Sequence, residues 1–324
     1  MLEISDKNQL SDLSFQEFVA KTIEKTKSTN PQSEDYSIVG AAERYLEKLE
    51  KAFETLSGLS KKKKLASSGV EWFLDNFFVI KKTVELIQDD LPKEYFDKLP
   101  ALQEGKGTPR IYYLARLILG YYEVELVQND LHEFLIAYQK AVPLQMSELW
   151  ALPLMLRLVL VETLSSTVYD LIKEEEPAQI IEKIDTGPID SDEVVARSLR
   201  TLLLFDRIDW NDLFEAQSKV EAILRKDPAG IYVGMDFDTR DHYRKKVERL
   251  SEKSNQNEIQ VAQAVVHLAS ESQKNDTKRN HVGYYLIDEG ESDIKSVIDF
   301  HEDFQGNLRK FFFENNTSFY LGGI

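Results

Sequence analysis

Ser67–Leu102 reads SSGVEWFLDNFFVIKKTVELIQDDLPKEYFDKLPAL, Thr108–Val127 reads TPRIYYLARLILGYYEVELV, and Leu131–Leu164 reads LHEFLIAYQKAVPLQMSELWALPLMLRLVLVETL. These are the longest apolar-periodic segments of the chain, and their steps of three and four are helical. They hold two of the three tryptophans, Trp72 and Trp150. Glu71, Asp75, Arg110, Glu148, Arg157 and Glu162 fall inside the same apolar runs. Charged side chains are seldom fully buried unless paired. These six therefore either lie at helix edges in water or form an internal polar network. Glu71 and Asp75 are one helical turn apart and share a face, so burial would demand a positive partner. Arg110 and Arg157 are the candidates. Two carboxylates on one face also have the form of an acid/base pair for glycoside hydrolysis. The tyrosines around them, with Trp72 and Trp150, are core at helical spacing, or the floor of a glycan groove.

Working outward, further helices are expected at about Ser14–Lys27, Asp35–Ser57, Ala178–Lys183, Ser191–Phe205, Trp210–Arg225, Asp236–Ser251, Glu258–Ser270 and Ser292–Glu314. Within the quoted core, the helices run over about Glu71–Leu91, Pro109–Glu125, Asp130–Ala141 and Ser147–Lys173. Ser67 or Ser68 caps the first of these, and a short helix lies between Pro92 and Pro100. Pro153 sits near the start of the last or kinks it. The run HVGYYLIDEG is the one strand-like segment, near 281–288. The fold class is all-α, an irregular multi-helix bundle. No fixed period supports a repeat array. Expected divisions are 1–34 (a helix and linker), 35–174 (the main helical body), 175–275 (a second helical body) and 276–324 (an extended segment and C-terminal helix).

The chain has 324 residues, 42% hydrophobic and 30% charged, which suits a folded protein of about two domains. Its net charge of −16 argues against nucleic acid as the main partner. There is no cysteine, so disulfides and thiolate metal sites are excluded. The five histidines are scattered without metal-ligand spacing. Lys61–Lys64 is a solvated turn in an acidic protein. No phosphate-binding loop, G-x-S-x-G, H-E-x-x-H or dinucleotide fingerprint occurs. No catalytic residue, cofactor or metal is assigned. Asp236 and Asp238 have D-x-D spacing, but no strand precedes them and a helix follows, so an N-cap is the natural reading. The N-terminus is not a signal peptide. No stretch has the roughly 18 apolar residues of a membrane helix. FFFENNTSFYLGGI, at the C-terminus, reads as the start of a new apolar element.

Two blocks carry a family resemblance. The first comprises Glu71, Trp72, Leu74, Asp75 and Asn76; Asp90, Leu91, Pro92 and Tyr95; Pro109, Arg110 and Tyr112; and Glu148, Leu149, Trp150, Ala151, Leu156 and Arg157. The second comprises Ala229, Gly230, Tyr232, Met235, Asp236, Phe237, Thr239, Arg240, Asp241, Tyr243 and Arg244, followed by HVGYYLID from His281 to Asp288. In this order they resemble the N-terminal region of cyclic β-1,2-glucan synthases, over about Ser67–Asp288. Such synthases are large inner-membrane glycosyltransferases that build β-1,2-glucan from UDP-glucose and carry a phosphorylase-like module. The region resembled precedes their first membrane spans and their transferase motifs. The resemblance implies a non-catalytic scaffold or glucan guide on the cytoplasmic side of the inner membrane. Its partners would be the remaining membrane and catalytic domains, and β-glucan. Candidate residues for a buried polar network or glycan contact are Glu71, Trp72, Asp75, Arg110, Glu148, Trp150 and Arg157. Two other functions fit the residues: a free-standing cytoplasmic helical interaction module, and a glycan-active enzyme using Glu71 or Asp75.

Overall fold

The computed structural model describes residues 10–30, 38–60, 67–90, 99–103, 107–172, 190–272 and 278–301. Helices dominate, and the class is all-α. The chain forms two compact units, Met1–Gln217 and Ser218–Ile324.

The first unit is built around one apolar helix. Its helices are α1 (Phe15–Thr26), α2 (Ile38–Ser60), α3 (Ser68–Asp75), α4 (Phe77–Asp90), α5 (Arg110–Tyr121), α6 (Gln128–Tyr138), α7 (Met146–Ile172), α8 (Ser191–Phe205) and α9 (Trp210–Gln217). Helix α7 packs against α2, α4, α5, α8 and α9. Every residue from Leu154 to Leu164 is buried, so all of its faces are covered, as a helix apolar on every side requires. Over Met146–Tyr169 it is long and apolar enough to cross a membrane, which corrects the expectation that no stretch would be; 83% of that window is buried inside the unit. Burial of this kind is also what a core helix shows.

Local chemistry explains the helix ends. Ser14 and Glu17 form a reciprocal capping box at α1. Phe18 then stacks on Tyr121, centroids 4.0 Å apart, and docks α1 on α5. Ser67 caps α3, its hydroxyl accepting from the Val70 N–H. It also bonds the Asp192 carboxylate of α8. A Cβ on Gly69 would stand 2.7 Å from the Asp192 Cα, so the approach of α3 to α8 needs glycine. The expected single helix over Glu71–Leu91 is broken at Asn76. Its side-chain amide donates to the Trp72 carbonyl at 2.9 Å, competing with the helical ladder. Helix α5 stops at Tyr121 rather than Glu125, because Glu123 and Val124 take positive φ values of 48° and 58°. This conformation is costly for a β-branched residue. A buried bond of 2.7 Å from the Thr201 hydroxyl to the Val124 carbonyl holds it. Two two-residue strands, β1 (Thr29–Asn30) and β2 (Ala101–Leu102), pair antiparallel.

The second unit contains α10 (Lys219–Leu224), α11 (Phe237–Glu252), α12 (Glu258–Glu271), α13 (Val282–Ile287) and α14 (Glu291–Val297). The helix expected over Trp210–Arg225 is split by Ser218, which is extended and caps α10 by accepting from the Glu221 N–H. The unit boundary lies there rather than near Glu174, because α8 packs on α7 and α3 and so belongs to the first unit. The strand-like reading of 281–288 is also corrected: Val282–Ile287 is helical. Gly283 and Tyr285 are buried along with Val282, Tyr284 and Leu286, and a short run buried all round shows no diagnostic period. The last described helix ends at Val297, and Asp299 turns the chain at φ 50°. The short helix expected between Pro92 and Pro100, the one near 178–183, and the C-terminal apolar run lie wholly or mostly outside the described residues.

Candidate functional site

The charges foreseen in the apolar segments separate into three groups. Between α5 and α7, Glu148 is wholly buried, and the Arg110 guanidinium grips it with two bonds. Nε donates to one carboxylate oxygen at 2.8 Å, Nη2 donates to the other, and the Gln145 N–H adds a third bond at 3.0 Å. Such a bidentate fork is the geometry arginine is built for. Five residues along α7 from Arg157, Glu162 accepts from the Tyr112 hydroxyl at 2.7 Å and from Arg116 at 2.8 Å. Arg116 was not foreseen; the only signal was that a buried Glu162 needs a cation. Arg157, also buried, reaches Asp206 at 3.4 Å and lies over the rings of Phe205 and Trp210 at 5.7 and 5.5 Å.

Glu71, Trp72 and Asp75 are exposed and lie outside this network. The expectation that Arg110 and Arg157 neutralise Glu71 and Asp75 is thereby corrected: the arginines serve Glu148 and Asp206. The helical phase explains this. The buried side of α3 is set by Val70 and Phe73, and Phe77 continues it; Glu71 and Asp75 point off it.

Trp150 occupies a different kind of place. It stacks on Phe214 of α9 with ring centroids 4.2 Å apart. Beside this pair is a narrow cleft between α7 and α9 with a volume of about 20 Å³, room for about one water. Trp150 and Pro153 wall it on one side, Trp210, Leu213 and Phe214 on the other. Gln217 is its polar lining residue. The Gln217 carbonyl oxygens accept from the Gln139 amide at 3.1 and 3.2 Å, and its own amide nitrogen lies 2.8 Å from His132 Nδ1. The end of α9 is thus fixed, and the cleft with it.

The second unit has its own polar core. Glu221 is fully buried and accepts from Tyr232 at 2.6 Å and Arg244 at 2.7 Å. Arg225 and Arg240 approach its other oxygen at 2.8 and 3.5 Å. Burial, and then the bond to Glu221, push the Tyr232 phenol well above its ordinary pKa, so it remains a donor. Nearby, Asp227 accepts from the N–H groups of Ile231, Tyr232 and Val282 and from His281 Nδ1 at 2.8 Å. It ties the 227–232 turn to the start of α13. The far His281 nitrogen lies 3.3 Å from the Tyr243 hydroxyl. A Cβ on Gly283 would come within 2.5 Å of both, so any larger residue there would have to displace this pair. Asp236 caps α11 by accepting from the Thr239 N–H at 2.8 Å, as the D-x-D segment suggested. Among the described residues no group of three or more His, Asp or Glu is placed to hold a metal ion.

Burial raises the Asp227 pKa, but His281 and the backbone donors outweigh it and hold the carboxyl below its ordinary value. Its stabilising contribution is therefore complete above an ordinary aspartate pKa of about 3.9 and is lost as pH falls through the depressed folded value. Acid melts followed by circular dichroism should show the second unit losing stability below about pH 4, and Asp227→Asn should flatten that dependence while lowering stability at neutral pH.

No family model matches the chain. One curated protein clarifies its relations. The chain is similar to a cyclic β-(1,2)-glucan synthase. It is 24% identical over 272 aligned residues to Cyclic beta-(1,2)-glucan synthase NdvB of Rhizobium meliloti (strain 1021). The match spans 62% of this chain and 10% of the synthase. The residues that carry the resemblance to such synthases include Arg110, Glu148, Tyr232, Asp236, Arg244 and Gly283. Each is a structural tie here: an ion pair, a cap, a buried hydrogen bond or a close approach.

Proposed function

We propose that this chain is a non-catalytic module of a cyclic β-1,2-glucan synthase-like membrane glycosyltransferase. In this reading it scaffolds the synthase and guides the β-1,2-glucan, while other parts of the larger protein transfer glucose from UDP-glucose. It works on the cytoplasmic side of the inner membrane, and its partners are the membrane and catalytic domains. The observation that carries the reading is the similarity to NdvB across most of the chain. The fate of the acids supports the non-catalytic part. The buried carboxylates Glu148, Glu162 and Glu221 are each held by arginine, which commits them to folding rather than to proton transfer. Titrating the chain with linear β-1,2-glucooligosaccharides in a calorimeter, with UDP-glucose as second titrant, tests this. Saturable binding of the oligosaccharide without glucose transfer is expected. Transfer by the chain alone would refute the non-catalytic reading, and silence toward glucan would reduce the module to a scaffold. A second reading, a helical interaction module, draws on Trp72 at 41% and Phe78 at 64% exposure.

A further inference from the structure

We propose that the outward ridge of α3 and α4 docks a basic amphipathic helix, which packs an apolar residue on Phe78 and sets lysines or arginines against Glu71, Asp75, Glu85 and Asp89. The proposal rests on the scaffold part of the reading above and names its docking face. It does not depend on glucan binding.

A helix on the outside of a bundle needs only one buried face. Helix α4 buries Phe77, Val79, Ile80, Val84 and Ile87. On its other side Phe78, Lys82, Glu85 and Asp89 recur at steps of four, three and four, and all are exposed. This is the spacing of a seam that meets a second helix. Phe78 is 64% exposed. A single exposed phenylalanine is ordinary, and the charge around this one sets it apart. Glu71 and Asp75 add two exposed carboxylates one turn apart on α3. The lysines of α4 are already engaged, Lys81 with Glu50 of α2 and Lys82 with Asp206, each at 2.8 Å. Among the described residues no cation pairs with Glu71, Asp75, Glu85 or Asp89. Uncompensated carboxylates thus flank an uncovered ring.

That charge decides the occupant. A second copy of this chain, with its net charge of −16, would bring like charges together. A helix with lysine or arginine beside an apolar seam satisfies both the ring and the carboxylates. Exposed ion pairs are individually weak, so Phe78 supplies the anchor and the carboxylates supply the choice of partner. Lysine and arginine concentrate at the cytoplasmic ends of membrane spans, the side on which the reading above puts the partners of the module.

The probe is a fluorescein-labelled peptide of about three heptads of lysine and leucine, with leucine at positions a and d. Anisotropy with the full chain at physiological salt should show saturable binding of one peptide per chain. Phe78→Ala, and separately Glu85→Lys with Asp89→Lys, should each weaken it at least about tenfold, or about 1.4 kcal/mol, with unchanged circular dichroism. Glu24→Lys with Glu133→Lys, exposed acids of α1 and α6, should bind as the parent does. Equal loss from both pairs of reversals, or equal binding of a peptide with the same composition and scrambled leucines, would reduce the attraction to net charge and overturn the ridge. No binding by the intact chain overturns it as well. Because the peptide assay contains no sugar, either failure leaves the glucan titration to judge the guide reading on its own.

Discussion

Replacement of Glu221 by alanine is expected to destabilise the second unit by about 3–5 kcal/mol, the cost of leaving a buried charge without its partner. Arg244 is the charge most affected: its side chain is 1% exposed, and its Nη1 donates to Glu221 at 2.7 Å. Arg240 is partly buried, and Tyr232 would lose the acceptor of its phenol. Arg225 is more exposed and can turn to water. A domain of this size has roughly 5–15 kcal/mol of total stability, so the loss would remove much of it. The three tryptophans all lie in the first unit, so the effect is best read by hydrogen exchange of the α11 and α12 amides under mild urea. Those amides should exchange at least a hundredfold faster in the variant. A change below about 1 kcal/mol would mean that water replaces the carboxylate and that the site is more open than described.

Arg110→Ala should have a comparable effect on the first unit, about 3–5 kcal/mol, for the converse reason. It strands Glu148, a carboxylate with no solvent exposure, with the Gln145 N–H as its remaining described donor. Urea denaturation followed by tryptophan fluorescence reports this unit directly. Arg110→Lys should recover only part of the loss, because an ammonium cannot make two parallel bonds to the carboxylate. The double change Arg110→Met with Glu148→Leu should return close to the parent stability, since a well-packed apolar pair can replace a buried ion pair. Equal destabilisation in the single and double variants would locate the effect in packing rather than in charge.

What the sequence made legible follows from the range of each interaction. Helix α8 spans Ser191–Phe205, as its periodicity indicated, because its apolar stripe and the acidic residues of its first turn are local signals. The caps at Ser14, Ser67 and Asp236 were within reach of the same logic. The breaks at Asn76 and Ser218 were not, since each depends on a polar side chain prevailing over the helical ladder at a single position. The strand-like appearance of Val282–Ile287 arose because its first five residues are buried in succession and leave no polar face to mark a helical period. Long-range partners were hidden for a simpler reason. Asp227 and His281 are 54 positions apart, Arg116 and Glu162 are 46 apart, and nothing local ties one to the other. Of the candidate residues, Arg110, Glu148 and Arg157 are buried because their helix phase is buried. Glu71 and Asp75 fall one step off that phase.

The arginine-bound carboxylates hold each unit together from within, and the proposed glucan contact lies apart from them. Hydrogen exchange of the intact chain, with and without saturating linear β-1,2-glucooligosaccharide, tests that separation most directly. Protection confined to amides outside residues 221–244 and 281–288 is the predicted result. Protection centred on residues 221–244 or 281–288, or none anywhere, would contradict it.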